Sequence, residues 1–201
     1  MARVKLANRI KSLLTAGILV SSISVLAILS CSEDRPNCPE SSQLPSGRTV
    51  IDTAEREDES GHHYFEGFCF SEGAVVRVPE EQADFTMMYL TGTEGKFAGI
   101  ALRQPALQPA FLSVAIVGTL EEGQAAFDGT LSVPEGASLQ GLASQAVPYS
   151  VWVVKTHDGK FGKILITRLT FGGVQDSCGV RDYGEITFDW EYQPNGSSCF
   201  R

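Results

Sequence analysis

Val151-Trp152-Val153-Val154-Lys155-Thr156-His157-Asp158-Gly159-Lys160-Phe161-Gly162-Lys163-Ile164 is the stretch that decides the fold. Two runs of β-branched and aromatic residues flank Asp158-Gly159, and both central residues of a type I′ turn need positive φ, which Gly accepts freely and Asp moderately. The pair therefore predicts a β-hairpin over Tyr149 to Phe171. Downstream, Ile186, Phe188, Trp190 and Tyr192 alternate with Glu185, Thr187, Asp189 and Glu191. Successive side chains of a strand point to opposite faces, so 185–192 predicts a strand with one buried face and one wet face.

From Arg48 onward the remaining segments are of the same kind: short, rich in β-branched and aromatic residues, and separated by Gly, Pro and Asp. Such segments are strands joined by turns. Strands are expected at 48–53, 62–70, 74–78, 85–90, 97–102, 111–119, 127–133, 149–156, 161–171 and 185–192. Pro134 to Val147 reads as a loop with one helical turn around Ser138 to Ala143, and there is neither an internal repeat nor a long amphipathic helix. The expectation is a single all-β domain over 48–201, an antiparallel β-sheet sandwich with few short helical turns. Roughly 150 residues are enough for one core.

Ahead of that domain, Arg3, Lys5, Arg9 and Lys11 form a basic front, Leu13 to Leu29 an apolar run, and Ile28-Leu29-Ser30-Cys31 its close. This is the order of features that secretion machinery reads. The pattern resembles a bacterial lipoprotein signal, in which 1–30 is removed and Cys31 carries diacylglycerol and an acylated, palmitate-type amino terminus. An uncleaved anchor is the alternative, since 17 residues lie at the lower edge of a membrane span. Ser21, Ser22 and Ser24 weaken that alternative. Two or three acyl chains hold firmly, because each buried methylene contributes about 0.8 kcal/mol. Ser32 after the cysteine resembles the choice that sends Gram-negative lipoproteins to the outer membrane, and Ser32-Glu33-Asp34 resembles short acidic surface-export signals. Residues 31–47, rich in Ser, Pro and charge with only Leu44 to bury, are expected to form a flexible lipidated tether.

Loss of the four N-terminal basic residues would leave 12 Lys and Arg against 24 Asp and Glu, a formal charge of about −12. A surplus of that size repels nucleic acid and anionic headgroups, which argues against a polyanion-binding role. Four cysteines remain for the folded part: Cys38, Cys69, Cys178 and Cys199. An even number in an exported chain predicts two disulfides, and no C-x-x-C pair points to a metal instead. Four cysteines allow three pairings. The strand between Cys178 and Cys199 would carry them roughly 30 Å apart, which favours Cys38 with Cys199 and Cys69 with Cys178.

Three stretches carry a family likeness. His63-Tyr64-Phe65 through Phe68-Cys69-Phe70-Ser71-Glu72-Gly73-Ala74-Val75-Val76 is an aromatic strand followed by Ser-x-Gly-x-Val-Val; Ala83 to Tyr89 is a second strand; Val151 to Ile164 with Gly184 to Tyr192 gives the hairpin and the closing strand. Together they resemble the HmuY-like family of bacterial lipoproteins, whose founding type is a haem-binding, hemophore-like protein with a mostly β fold. The resemblance implies an HmuY-like sandwich and capture of haem without catalysis. In haem-binding members the axial His or Met residues come from the segment between the second and third stretches. Here residues 92–148 hold no His, Met, Cys or Tyr, so no family ligand transfers to a numbered position.

Haem iron needs an axial lone pair from His, Met, Tyr or Cys. His62, His63 and His157 are the candidates. His62 and His63 are adjacent on an expected strand and so face opposite sides, while His157 flanks the hairpin turn and is expected to face solvent. Met87 and Met88 alternate faces and read as core fillers. The acidic run Asp52, Glu55, Glu57, Asp58 and Glu59 lacks the spacing of an EF-hand loop and reads as a solvated surface. No nucleophile elbow, H-E-x-x-H, P-loop or dinucleotide fingerprint is present, so no catalytic residue and no enzyme activity are expected. Two functions follow as expectations: a lipid-anchored outer-membrane protein that captures haem or another small hydrophobic molecule, or a structural, partner-binding envelope lipoprotein that has lost the haem site.

Overall fold

A computed structural model describes residues 43–92, 97–176 and 179–200. The expected signal peptide (1–30), lipidation at Cys31, most of the tether, Cys38 and Cys178 lie outside the described residues. In chain order the strands are β1 (Ser46–Asp52), β2 (Arg56–Glu57), β3 (His63–Cys69), β4 (Ala74–Val78), β5 (Phe85–Thr91), β6 (Phe97–Arg103), β7 (Phe111–Ile116), β8 (Leu142–Ala143), β9 (Ser150–Lys155), β10 (Phe161–Asp176) and β11 (Gly179–Gln193). One helix, α1 (Leu120–Gly129), lies between β7 and β8 among the described residues. The strands form two antiparallel sheets. One runs β1-β11-β10-β9-β7; the other runs β2-β3-β5-β6-β8, with β4 paired to β3.

The alternation in β11 has its expected consequence: Ile186, Phe188, Trp190 and Tyr192 are all buried. They meet Phe68 and Phe85 of the other sheet and Phe70 just past the end of β3, with Phe68 5.2 Å from Phe188 and 5.3 Å from Trp190 between ring centroids. The Phe68–Phe188 pair is edge-to-face and the Phe68–Trp190 pair tilted; an edge-to-face pair adds about 0.5–1.5 kcal/mol beyond the area it buries. Gly162 on β10 lets the sheets close at this point. A Cβ there would lie 2.3 Å from Phe70 Cε1.

Several expectations need correction. The domain begins earlier than Arg48, because Leu44 packs with Val133, Val153 and Phe200, and the Pro45 carbonyl accepts the Tyr192 N–H at 2.9 Å. The expected strand at 127–133 is absent, since Phe127 belongs to α1 and packs its ring against Val151 and Leu165. Thr119 caps that helix, accepting the Glu122 N–H, while Glu122 reaches back to the Gly118 N–H. This is a Thr-x-x-Glu capping arrangement. No helical turn forms over Ser138 to Ala143; Gln140 bridges Phe111, and Leu142–Ala143 pairs with β6 as β8.

The hairpin falls where expected, with a different turn. Gly159 has φ +82°, Asp158 is not among the positive-φ residues, and the Gly159 N–H donates to Thr156 O at 3.0 Å. His157 and Asp158 are thus the central residues of a type I turn, and Gly159 takes the left-handed position after it. That choice of turn determines where His157 sits.

The cysteine pairing also changes. Cys69 is a buried free thiol, so the expected Cys69–Cys178 disulfide does not form. Cys69 faces Val76 and Ala83, with its sulfur 3.2 Å from Ser71 Oγ. Cys199 is disulfide-bonded, and its partner lies outside the described residues.

Candidate functional site

A cleft of about 790 Å³ opens where four connections meet: β4–β5, β6–β7, the segment between α1 and β8, and the β9–β10 turn. Val78, Pro79, Pro105, Ala106, Pro109 and Leu139 supply apolar walls. Three of these are prolines, whose fixed φ holds the walls open at low entropic cost. Gln104, Gln108, Lys155 and His157 bring the polar groups. Leu107, in the same β6–β7 connection, is 65% exposed and held at φ +58°. A non-glycine residue in that region is strained, and strain of this kind gathers at ligand clamps.

Asp84 fixes the His157 side of the cleft. Its side chain is 1% exposed, while that of His157 is 30% exposed. One carboxylate oxygen of Asp84 accepts both the backbone N–H of His157 and its ring Nδ1, each at 2.8 Å. The other accepts the Phe70 N–H at 2.7 Å. Asp84 therefore ties the end of β3 to the β9–β10 turn and orients the His157 ring, with Nδ1 on the carboxylate and Nε2 on the far side of the ring. His157 is exposed, as expected, and the type I turn also aims its ring and its N–H at one carboxylate.

The other candidates do not reach the cleft. His62 is 73% exposed and lies 3.6 Å from Asp58; His63 is 62% exposed and lies 3.1 Å from Glu55. Asp58 is held below the ordinary carboxylate range, chiefly by the N–H groups of His62 and Ser60. Met87 is in the core. Within the acidic run, Asp52 is taken up by Arg56 in two contacts of 2.7 and 2.8 Å. Burial pushes the Asp52 carboxyl up, and the bonds from Arg56 and the Ala54 N–H outweigh that push.

Two clusters of metal-ligating types occur among the described residues: Cys69, Asp84 and His157 beside the cleft, and Asp58, His62 and Glu80 at the surface. Counting cysteines hid the first, because it assigned Cys69 to a disulfide. As a nucleophile Cys69 is poorly placed: it is buried, and its hydrogen-bond contact is with Ser71 rather than with the imidazole that would activate it. Among known proteins, no family model matches the chain and no curated protein matches it.

Proposed function

We propose that this chain is a lipid-anchored, non-catalytic binding protein of the bacterial outer membrane, resembling the HmuY-like lipoproteins, that captures a small, largely apolar molecule of the haem class in the cleft beside His157. The observation that carries this reading is the cleft itself. Its volume is that of small-molecule sites, which are concave, mostly apolar and equipped with a few convergent polar groups. Haem suits its chemistry: apolar walls take the porphyrin faces, Lys155 offers a cation to a propionate, and His157 presents Nε2 to iron with Asp84 behind it. A protein that had kept the scaffold only to bind a partner would have no use for such a cleft.

Titration of haemin into the full chain, purified in detergent, tests the reading. A saturable Soret shift is expected, retained in His62→Ala and His63→Ala and lost in His157→Ala. Haem is abandoned if no shift develops and none of the three substitutions has an effect. The anchor has its own test: protein extracted from the envelope is expected to lack 1–30 and to carry acyl mass at Cys31, and an unmodified intact mass would overturn that part.

A further inference from the structure

Beside the cleft, Cys69 Sγ, an Asp84 carboxylate oxygen and a His157 ring nitrogen all lie within 4.8 Å of one another. We propose that these three side chains bind one divalent transition-metal ion of the zinc class, with a fourth coordination position open toward the cleft. The inference goes beyond haem capture and does not depend on it.

The donor set fits such an ion. Thiolate, imidazole and carboxylate are the ligand types zinc takes, and three protein ligands with one open position is the arrangement of its non-structural sites. Ligands around tetrahedral zinc stand roughly 3.3–3.8 Å apart, so side-chain rotations of about an ångström or less suffice, opening the 2.8 Å Asp84–His157 pair and closing any pair near 4.8 Å. Charge also matches, since a thiolate and a carboxylate together neutralise a dication in a buried place.

The surroundings are prepared for it. Asp84 is held by the backbone N–H groups of Phe70 and His157, and both bonds persist if the ion replaces only the proton shared with the His157 ring. Ser71 Oγ, 3.2 Å from the Cys69 sulfur, can donate to the thiolate. Outer hydrogen bonds of this kind orient metal ligands. Cys69 and Asp84 are buried, and His157 lines the cleft, which supplies the path of entry. The ligands come from the end of β3, the residue before β5 and the turn after β9, so the ion would clamp the two sheets together. The surface group of Asp58, His62 and Glu80 is weaker, because His62 and Glu80 are both exposed to water and no thiolate is among them.

Cobalt(II), the spectroscopic stand-in for zinc, tests the proposal on the full chain, purified in detergent, reduced and stripped with a chelator. One equivalent is expected to produce a thiolate-to-cobalt charge-transfer band and the intense visible bands of four-coordinate cobalt, both erased by added zinc. Cys69→Ser should abolish the charge-transfer band, and His157→Gln should weaken affinity at least about tenfold. Tryptophan emission reports that both variants remain folded. A spectrum without charge transfer overturns the site, as does a band that survives Cys69→Ser or disappears in His62→Ala. Haemin takes no part in the measurement, so failure of haem capture and failure of the metal site are separately visible.

Discussion

Replacement of Asp84 by alanine removes one carboxylate and three hydrogen bonds at once. Two backbone donors, Phe70 N at 2.7 Å and His157 N at 2.8 Å, lose their acceptor, as does His157 Nδ1. Phe70 is buried, so its N–H cannot turn to water, and an unsatisfied buried donor costs about 1–3 kcal/mol. The His157 groups lie at an exposed turn and rehydrate, which limits each of those losses to about 0.5–1 kcal/mol. Relief of the desolvated carboxylate offsets part of the total. The net expectation is about 3 kcal/mol, or roughly 6–12 °C in Tm for a domain of this size. Trp152 and Trp190 both lie in the core, so urea unfolding followed by tryptophan emission reads the change directly. Asp84→Asn, which keeps one acceptor and sets a donor against the other N–H group, should fall between wild type and alanine. A loss below about 1 kcal/mol in Asp84→Ala would mean that the carboxylate does not clasp the sheets, and the orientation assigned to His157 would fall with it.

Gly162→Ala drives a methyl into the Phe70 ring at a Cβ–Cε1 distance of 2.3 Å and should destabilise by about 1–3 kcal/mol in the same unfolding assay. Thr119→Ala removes the cap of α1 and should cost about 1 kcal/mol, again by urea unfolding, with the cleft unaffected. Glu66 is pushed above its ordinary value of 4.5, first by burial and then by the Asp52 charge. Between 4.5 and that raised value the folded chain holds more protons than the unfolded one, so this carboxyl makes stability fall as pH rises through the window. Glu66→Gln should therefore compare more favourably with wild type at pH 7 than at pH 4, as measured by unfolding at the two pH values.

Strands were legible in the sequence wherever a period of two was written in large side chains. Ile186 to Tyr192 and Val151 to Ile164 specify their own pairing, and the two antiparallel sheets follow from them. The helix was missed because Phe127, an aromatic residue before a Thr-Leu-Ser-Val run, imitates a strand start. Its signal was Thr119-Leu120-Glu121-Glu122, a capping pattern that acts through backbone donors rather than through hydrophobic periodicity. Asp158-Gly159 marks a turn but not its type, since one glycine in the left-handed region serves either hairpin geometry. The cleft was not readable at all. Asp84 and His157 are 73 residues apart and meet only because a type I turn swings the imidazole onto a carboxylate fixed by Phe70. Cysteine parity failed for a related reason, because it counts thiols without knowing which are buried against Val76 and Ala83.

The most direct measurement is a Soret titration of the full chain with haemin beside its Ala106→Arg variant, in which a long cation occupies the cleft from an exposed position of its wall. Wild type should saturate at about one haemin per chain, as a single preformed site requires, and the variant should show no saturable shift. Equal titration curves for the two proteins, or no saturable shift in either, would contradict capture in this cleft.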